Sequence, residues 1–164
     1  MLKYEDICVI IGKEKSGKTL LSRTLAKSLT PNYNYIDYNF VDSKFLHEFY
    51  NQNKDTKRVI ILDNYERSYG NKRIDSLYRK NHNFTLIYVM SSIDTYVADG
   101  SDIIYVGKET NYSQIKNYHS KLKCYYKDFY LDWLVNAMED LEDYGFVSLD
   151  KDKRYTDKEI YLKI

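Results

Sequence analysis

The chain has 164 residues and a formal net charge of +1, and 43% of its residues are apolar and 30% charged. This profile is typical of one globular domain and excludes a disordered chain, and no apolar run reaches the about 18 residues of a membrane span. Because the net charge is close to zero, any contact with nucleic acid must come from a local patch. No linker or repeat interrupts the sequence, so we expect a single domain over 1–164.

The first half of the chain alternates apolar runs with segments of helical periodicity. The apolar runs at 7–11, 34–38 and 58–63 predict three strands, and the third of them ends in an acid. Between these runs, apolar residues recur three and four positions apart, which predicts helices over 17–29 and 42–51. Strands that alternate with helices predict a parallel sheet with right-handed crossovers.

Single residues mark the boundaries of these two helices. Pro31 ends the first helix, because the residue before a proline avoids the helical conformation. Asp42 is expected to cap the second helix, and its Phe45, Leu46 and Phe49 are expected to face the core. Each helix should therefore pack one apolar face against the sheet.

The second half of the chain continues this alternation and then becomes more helical. Residues 71–80 predict a helix, and the β-rich runs at 84–90 and 102–106 predict two further strands. Helical spacing of apolar residues then predicts two more helices, over 111–122 and 128–143.

The chain is predicted to close with a pair of strands. Gly145 is expected to end the last helix. The runs at 146–149 and 159–164 predict two strands, joined by the charged loop 150–158. We therefore predict an α/β fold, a three-layer sandwich around a mainly parallel sheet. The strand at 7–11 should be central among five parallel strands, with C-terminal helices and the terminal strand pair added.

The segment "GKEKSGKT" at 12–19 carries the strongest functional signal. Gly12, Gly17, Lys18 and Thr19 occupy the fixed positions of the P-loop pattern, after a predicted strand and before a predicted helix. Glycines let successive backbone amides turn towards phosphate oxygens, and the start of the helix adds its positive dipole end. The residues expected to contact a nucleotide are Gly12, Lys13, Glu14, Lys15, Ser16, Gly17, Lys18, Thr19 and Leu20.

A P-loop of this type predicts ATP and Mg²⁺ as cofactors. Lys18 should contact the β- and γ-phosphates, and the Thr19 hydroxyl should ligate Mg²⁺. Asp63, the acid that ends the 58–63 strand, should hold the same ion through water. Lys18 and Asp63 are therefore our first candidates for catalytic residues.

Hydrolysis also needs a group that orients or deprotonates the attacking water. Glu66 is the first candidate for this base, since it could reach the site from the loop after Asp63. Asn64 could position a water molecule but could not accept its proton. Ser91 and Ser92 lie at the tip of the 84–90 strand and could sense the γ-phosphate, although an ordinary strand-end turn explains them equally well.

The order of these features resembles that of the small genome-packaging ATPases of large DNA viruses, the poxvirus-type branch of the FtsK–HerA superfamily. The resemblance lies in successive segments that match the family's loop, strands, sensor and closing strand pair: "IIGKEKSGKT", "VIILDN", "RKNHNFTLIYVMSS", "DIIYV", "DYGFVSLD" and "IYLKI". It implies a P-loop NTPase core of the RecA/FtsK-like type. It also implies an ATPase that translocates double-stranded DNA without sequence preference.

The same resemblance implies partners and a location. Family members work as homo-oligomeric rings, here a pentamer or hexamer, in which an arginine from one subunit reaches the nucleotide of its neighbour. The candidates for this arginine finger are Arg67, Arg73 and Arg79. The basic and aromatic segment 65–82 could face a DNA backbone, or could simply be an exposed amphipathic helix. A capsid or portal-vertex protein would be a further partner, in the host cytoplasm at the assembly site or in the virion.

Three departures from the family pattern keep other functions open. A second acid usually follows the strand-end acid, and the sensor is usually Gln, but Asn64 and Ser92 stand at these positions. The arginine that commonly precedes the fifth strand has no counterpart in "YVADGSD". A nucleotide-binding assembly protein with little or no hydrolysis is therefore an alternative. A small-molecule or nucleotide kinase is a further one, although the acidic segment 92–101 lacks the arginines of a kinase lid.

Overall fold

The computed structural model describes residues 1–66, 72–126 and 129–150, together with the backbone of 159–161. The strands within these ranges are β1 (Ile7–Ile11), β2 (Asn34–Asp37), β3 (Arg58–Asp63), β4 (Phe84–Met90), β5 (Ile103–Gly107), β6 (Gly145–Asp150) and β7 (Glu159–Tyr161). The helices are α1 (Lys18–Leu29), α2 (Ser43–Asn53), α3 (Lys72–Lys80), α4 (Thr95–Ala98), α5 (Tyr112–Leu122) and α6 (Leu131–Asp140). Each predicted strand and helix has a counterpart, and the short α4 is an addition.

All of these strands belong to one sheet, in the order β2-β3-β4-β1-β5-β6-β7. The five strands from β2 to β5 in this order are parallel, whereas β6 and β7 are antiparallel to their neighbours. This arrangement confirms the predicted parallel sheet with a strand pair added at one edge. β1 lies between β4 and β5, in the middle of the seven strands, but it is fourth rather than central among the five parallel ones. Because the carboxyl ends of parallel strands lie together, the segments after β1, β3 and β4 meet at one edge of the sheet.

Helices cover both faces of the sheet, which confirms the three-layer sandwich. On one face, Cys8 and Ile10 of β1 belong to a buried cluster with Leu21 of α1. On the other face, Val9 and Ile11 belong to a larger cluster with residues of α2, α3, α5 and α6. Since β1 is buried on both faces, its sequence is a continuous apolar run rather than an alternating pattern.

The last helix is shorter than the predicted 128–143. α6 is bounded by Tyr130 and Leu141, which both have extended backbones. Gly145 does not end this helix but begins β6. The periodicity was misleading because Leu141 reaches the core from outside the helix and is only 2% exposed.

Phe45 was also predicted incorrectly, because it is 42% exposed instead of facing the core. Leu46 is the buried residue of α2, and Phe49 packs partly against the core. Phe45 stacks on Phe49 at a centroid distance of 6.3 Å. α2 packs against α3, so a narrow stripe of the helix is enough to join the two.

The closing strand pair is described in part. The predicted strand at 159–164 is described for Glu159–Tyr161. Of the charged loop predicted at 150–158, Asp150 is the last residue of β6 and the rest lies outside the described residues. Within the described ranges, no helix combines the length and the apolarity needed to cross a bilayer.

Candidate functional site

The P-loop forms a compact turn between β1 and α1. The Gly12 amide donates to the carbonyl of Met90, at 3.3 Å, as the chain leaves the sheet. Lys15 and Gly17 have positive φ angles of 60° and 89°, which turn the loop back towards the helix. Gly17 is the N-cap of α1 and makes no side-chain capping bond. The first amides of α1 are therefore available to an anionic ligand.

A cleft of about 570 Å³ opens beside this turn. It is lined by Glu14, Lys15, Ser16, Gly17, Lys18, Thr19, Leu20, Asp63, Asn64, Ser91 and Tyr144. Most of the residues predicted to contact nucleotide thus surround one cavity. The exceptions are Gly12, which is buried, and Lys13, which lines a neighbouring cleft.

Lys18 lies across the P-loop. Its ammonium donates to the backbone carbonyl of Lys13 at 2.6 Å. Burial lowers the pKa of this ammonium, and the nearby carboxylates of Asp63 and Glu14 oppose that shift. A partly desolvated cation beside the open amides of α1 is well placed to bind phosphate.

Asp63 is the polar centre of the cleft and is only 4% exposed. Its Oδ2 accepts hydrogen bonds from Thr19 Oγ1, at 2.9 Å, and from the Tyr35 hydroxyl. Its Oδ1 accepts one from the Asn64 amide at 2.8 Å. A carboxylate has about four acceptor positions, so one position is left for a metal-bound water. A hydroxyl and a carboxylate are oxygen ligands of the kind that Mg²⁺ prefers, and these residues therefore fit a magnesium ion.

Tyr35 is a neighbour of Asp63 that the sequence did not indicate. Burial, and next the hydrogen bond to Asp63, raise the pKa of Tyr35 to about 12. The guanidinium of Arg23 lies 4.8 Å from the centre of the Tyr35 ring. This contact connects α1 to the edge strand β2 beside the carboxylate.

Asn64 and Glu66, the candidates for positioning water, are placed differently. Asn64 lines the cleft with a positive φ of 51°, and its side-chain amide donates to Asp37 at 3.0 Å. Glu66 is exposed and is not among the described residues that line the cleft. Ser91 lines the cleft, whereas the proposed sensor Ser92, the next residue after Ser91, is not among the described residues that line it.

Tyr65, which separates Asn64 from Glu66, is anchored in the core. Its amide donates to Val89 O at 2.9 Å, and its hydroxyl donates to Asp75 at 2.8 Å. Asp75 also accepts the hydroxyl of Tyr38 at 3.0 Å and is 2% exposed. Burial, followed by the charge of Asp75, raises the pKa of both tyrosines, so both remain hydrogen-bond donors. The sequence signal for this network was an acid on the apolar face of a predicted helix.

The three candidate arginine fingers have different surroundings. Arg67 lies outside the described residues, and Arg73 is exposed on α3. Arg79 donates to the carbonyls of Val97, at 3.0 Å, and Asp99, at 2.5 Å. These bonds satisfy carbonyls at the end of α4, so Arg79 joins α3 to α4 within its own chain.

A second cleft, of about 230 Å³, adjoins the first. It is lined by Lys13, Lys15, Ser16, Lys108, Thr110, Asp143 and Tyr144. Ser16 Oγ is buried and has no hydrogen-bond partner in the described structure. Since Lys15, Ser16 and Tyr144 line both clefts, the two cavities meet at these residues.

Comparison with known proteins identifies the fold. No protein-family model and no curated protein sequence matches the chain. Among solved structures, it is similar to the genome packaging NTPase B204 of Sulfolobus turreted icosahedral virus 2. The complex of B204 with AMPPCP has a TM-score of 0.64 and 17% identity, over 92% of this chain and 94% of that one. The sulfate complex has a TM-score of 0.67 and 18% identity, over 99% and 98%.

A second similarity is more distant. A point variant of RuvB from Thermotoga maritima has a TM-score of 0.53 and 12% identity, over 82% of this chain and 53% of that one. Together these likenesses show that the chain has an α/β fold of the P-loop NTPase type.

Proposed function

We propose that the protein is an ATP-hydrolysing motor that moves viral double-stranded DNA into a capsid, within the poxvirus-type branch of the FtsK–HerA superfamily. The observation that carries this proposal is the 2.9 Å hydrogen bond between Thr19 and Asp63, in the cleft that Lys18 also lines. Residues far apart in sequence thus form the arrangement that a magnesium–triphosphate requires. The similarity to B204, a genome packaging NTPase, supports the packaging role.

In this proposal the phosphates of ATP lie against the P-loop. The uncapped amides of α1 donate to phosphate oxygens, and Lys18 exchanges its bond to Lys13 O for the phosphates. The Thr19 oxygen would ligate Mg²⁺ while its hydroxyl keeps its hydrogen bond to Asp63, and Asp63 would orient a metal-bound water. The bound ion would offset the negative charge of the phosphates.

Glu66 is proposed as the base that activates the attacking water. Glu66 is exposed and is not among the described residues that line the cleft. Either the segment 64–66 must change conformation, or a neighbouring subunit must complete the site, before Glu66 reaches the nucleotide. Asn64 would position the water once its side chain leaves Asp37. Ser91 replaces Ser92 as the proposed γ-phosphate sensor, since it is the serine in the cleft.

A ring of five or six copies would supply the missing arginine. Arg73 is exposed, so we propose Arg73, or else Arg67, as the finger, while Arg79 is engaged within its own chain. The exposed basic side chains of Arg73, Lys80 and His82 could contact DNA phosphates without reading sequence. We propose that the ring acts on a capsid or portal-vertex protein, at the cytoplasmic assembly site or in the virion.

The motor is tested by measuring ATP hydrolysis against protein concentration, with and without double-stranded DNA, beside the native mass. Turnover is expected to rise with protein concentration, because ring formation completes the site. It is also expected to rise when double-stranded DNA is added, because DNA is the substrate that the motor moves. Glu66→Ala should abolish turnover while ATP binding persists, and Glu48→Ala, an exposed glutamate on α2, is the matched control. A turnover rate that changes with neither protein concentration nor DNA would exclude the motor.

A non-hydrolysing nucleotide-binding assembly protein is the second candidate. One observation favours it: the Asn64 side chain donates a hydrogen bond to Asp37, and Glu66 is not among the described residues that line the cleft. It predicts tight binding of ATP with Mg²⁺ and negligible turnover even in the oligomer. The same titration separates it from the motor.

A kinase is disfavoured by the packing of the segment 92–101. Ile93, Val97 and Ala98 are buried, and Arg79 donates to the carbonyls at the end of α4. A segment packed into the core is not a mobile lid. Transfer of labelled phosphate from ATP to a small acceptor would restore this alternative.

A further inference from the structure

We propose that Tyr144 is the platform on which the base of the bound nucleotide stacks, and that the site accepts adenine and guanine nucleotides alike. This inference rests on the proposed function, since it takes the triphosphate to occupy the P-loop cleft. It adds a residue that the P-loop pattern does not include, because Tyr144 follows the motif by more than a hundred positions in the chain.

The first step is the position of Tyr144 between the two clefts. It lines both of them, together with Lys15 and Ser16 of the P-loop. Among the described residues that line either cleft, Tyr144 is the one with an aromatic ring. A nucleotide that places its phosphates on the P-loop and extends towards the second cleft therefore passes this ring. The residue is 41% exposed, which leaves room for a base to contact it.

The second step is that the backbone of Tyr144 is held in an unfavourable conformation. Its φ is 63°, in a region that bulky residues rarely adopt. The described non-glycine residues with positive φ are Glu5, Lys15, Asn64 and Tyr144, and all but Glu5 line the P-loop cleft. Strained backbone that clusters in this way is a feature of functional sites.

The turn around Tyr144 is also tightly packed. The Gly145 amide donates to Glu142 O, and the Lys108 amide donates to Gly145 O, both at 3.0 Å. A Cβ on Gly145 would lie 2.9 Å from Glu142 O and from a methyl carbon of Leu141. The ring is therefore carried by a fixed turn at the start of β6, as a stacking platform requires.

The third step concerns discrimination between bases. Of the polar side chains of the second cleft, Thr110 is exposed and the Asp143 side chain is 88% exposed, whereas the buried Ser16 Oγ belongs to the P-loop, where the phosphates would lie. Asp143 is also paired with Lys108 at 3.4 Å. Strong rejection of a wrong ligand needs buried polar groups that the ligand leaves unpaired. Stacking accepts every base and grows with ring area, so ATP and GTP should bind alike and CTP more weakly.

The experiment compares magnesium tripolyphosphate, ATP, GTP and CTP by titration calorimetry on the full chain. Tripolyphosphate reports on the P-loop alone, whereas the nucleotides report on the P-loop and the platform. Tyr144→Asn should weaken ATP and GTP about tenfold and leave tripolyphosphate unchanged. Asparagine is chosen because it tolerates a positive φ. Tyr144→Phe should keep nucleotide affinity within about twofold, since the ring is retained.

Tyr130→Asn is the matched control, because Tyr130 is 62% exposed and is not among the residues lining either cleft. It should change no affinity. The platform is excluded if tripolyphosphate binds but Tyr144→Asn leaves ATP unaffected or weakens both ligands equally. The proposal that the site accepts adenine and guanine nucleotides alike is excluded if ATP binds more than a hundredfold tighter than GTP. If neither tripolyphosphate nor ATP binds the native protein, the proposed function fails and the platform fails with it.

Discussion

The P-loop after β1 and the turn after β3 lie at the same edge of the sheet, yet different kinds of contact hold them. Gly12 and Ser16 of the P-loop are held by backbone bonds, from Gly12 N to Met90 O and from Ser16 N to Lys13 O. The turn at 63–66 is also held by distant side chains: Tyr35 and Thr19 on Asp63, Asp37 on Asn64, and Asp75 on Tyr65. One segment depends on backbone shape, and the other also depends on residues from β2, α1 and α3.

This difference separates two kinds of sensitivity. We therefore expect the turn to persist when a P-loop side chain is removed, and to be disturbed when a Cβ is added at Gly12. Around the β3 turn, the loss of a single carboxylate or hydroxyl leaves buried partners unsatisfied. Substitutions in the first segment should therefore change ligand binding, and substitutions in the second should change stability or metal binding.

The largest expected effect is that of Lys18→Ala in the P-loop. The ammonium donates to the Lys13 carbonyl within the same loop, so the fold should persist without it. Turnover should fall at least about a hundredfold, as when one donor to a developing charge is removed. Calorimetry measures nucleotide binding, a hydrolysis assay measures turnover, and circular dichroism shows whether the fold persists. Lys27→Ala, exposed on the last turn of the same helix, should behave as the native protein.

Asp75→Ala should show the opposite pattern, with a large effect on stability. It removes the acceptor of two tyrosine hydroxyls at a position only 2% exposed. The free energy of unfolding should fall by about 2 kcal/mol, the cost of leaving buried donors unpaired. Urea unfolding measures it, with the exposed Asp55→Ala as control. A loss below about 0.5 kcal/mol, the range of surface substitutions, would contradict this role for the network.

The same difference explains what the sequence could and could not predict. Gly12, Gly17, Lys18 and Thr19 could be predicted because backbone geometry fixes their spacing. The apolar run before Asp63 likewise placed that acid at the edge shared with the P-loop, since parallel strands end together. In helices, strands and the P-loop, the spacing of residues along the chain determines where their side chains lie. These residues could therefore be predicted from the sequence alone.

Tyr35, Tyr144 and the tyrosine partners of Asp75 could not be predicted in this way. Each depends on a contact with a residue distant in sequence or on a local φ, and neither leaves a periodic signal. The end of α6 was predicted wrongly for the same reason, because Leu141 completes the apolar pattern from an extended backbone. Long-range contacts in an irregular segment are visible only once the fold brings the residues together.

Gly12→Ala should have an intermediate effect, through the shape of the P-loop. Its new Cβ would lie 2.8 Å from Ser16 Oγ and 3.5 Å from Gly107 Cα. Nucleotide affinity should fall by about 1 to 2 kcal/mol, the usual cost of an added methyl group in a packed site. Titration of ATP measures the loss.

The double variant Gly12→Ala/Ser16→Ala tests the cause of this effect. The Ser16 Cβ would be 3.6 Å from the new methyl group, an ordinary contact, so removal of the hydroxyl should restore most of the affinity. Ser16→Ala alone serves as the reference. If the double variant binds no better than Gly12→Ala, the steric explanation is wrong.

Tyr35→Phe should have the smallest effect, confined to the magnesium dependence of binding. It removes one donor to Asp63 Oδ2 and keeps the ring beside Arg23. With that bond lost, the carboxylate is less firmly oriented. The Mg²⁺ concentration for half-maximal binding of a non-hydrolysable ATP analogue should then rise about fivefold, or about 1 kcal/mol. Tyr4→Phe is the matched control, because it removes a hydroxyl that donates to Leu29 O at 2.8 Å, away from the cleft. An equal shift in both variants, or none in Tyr35→Phe, would show that Tyr35 does not position Asp63.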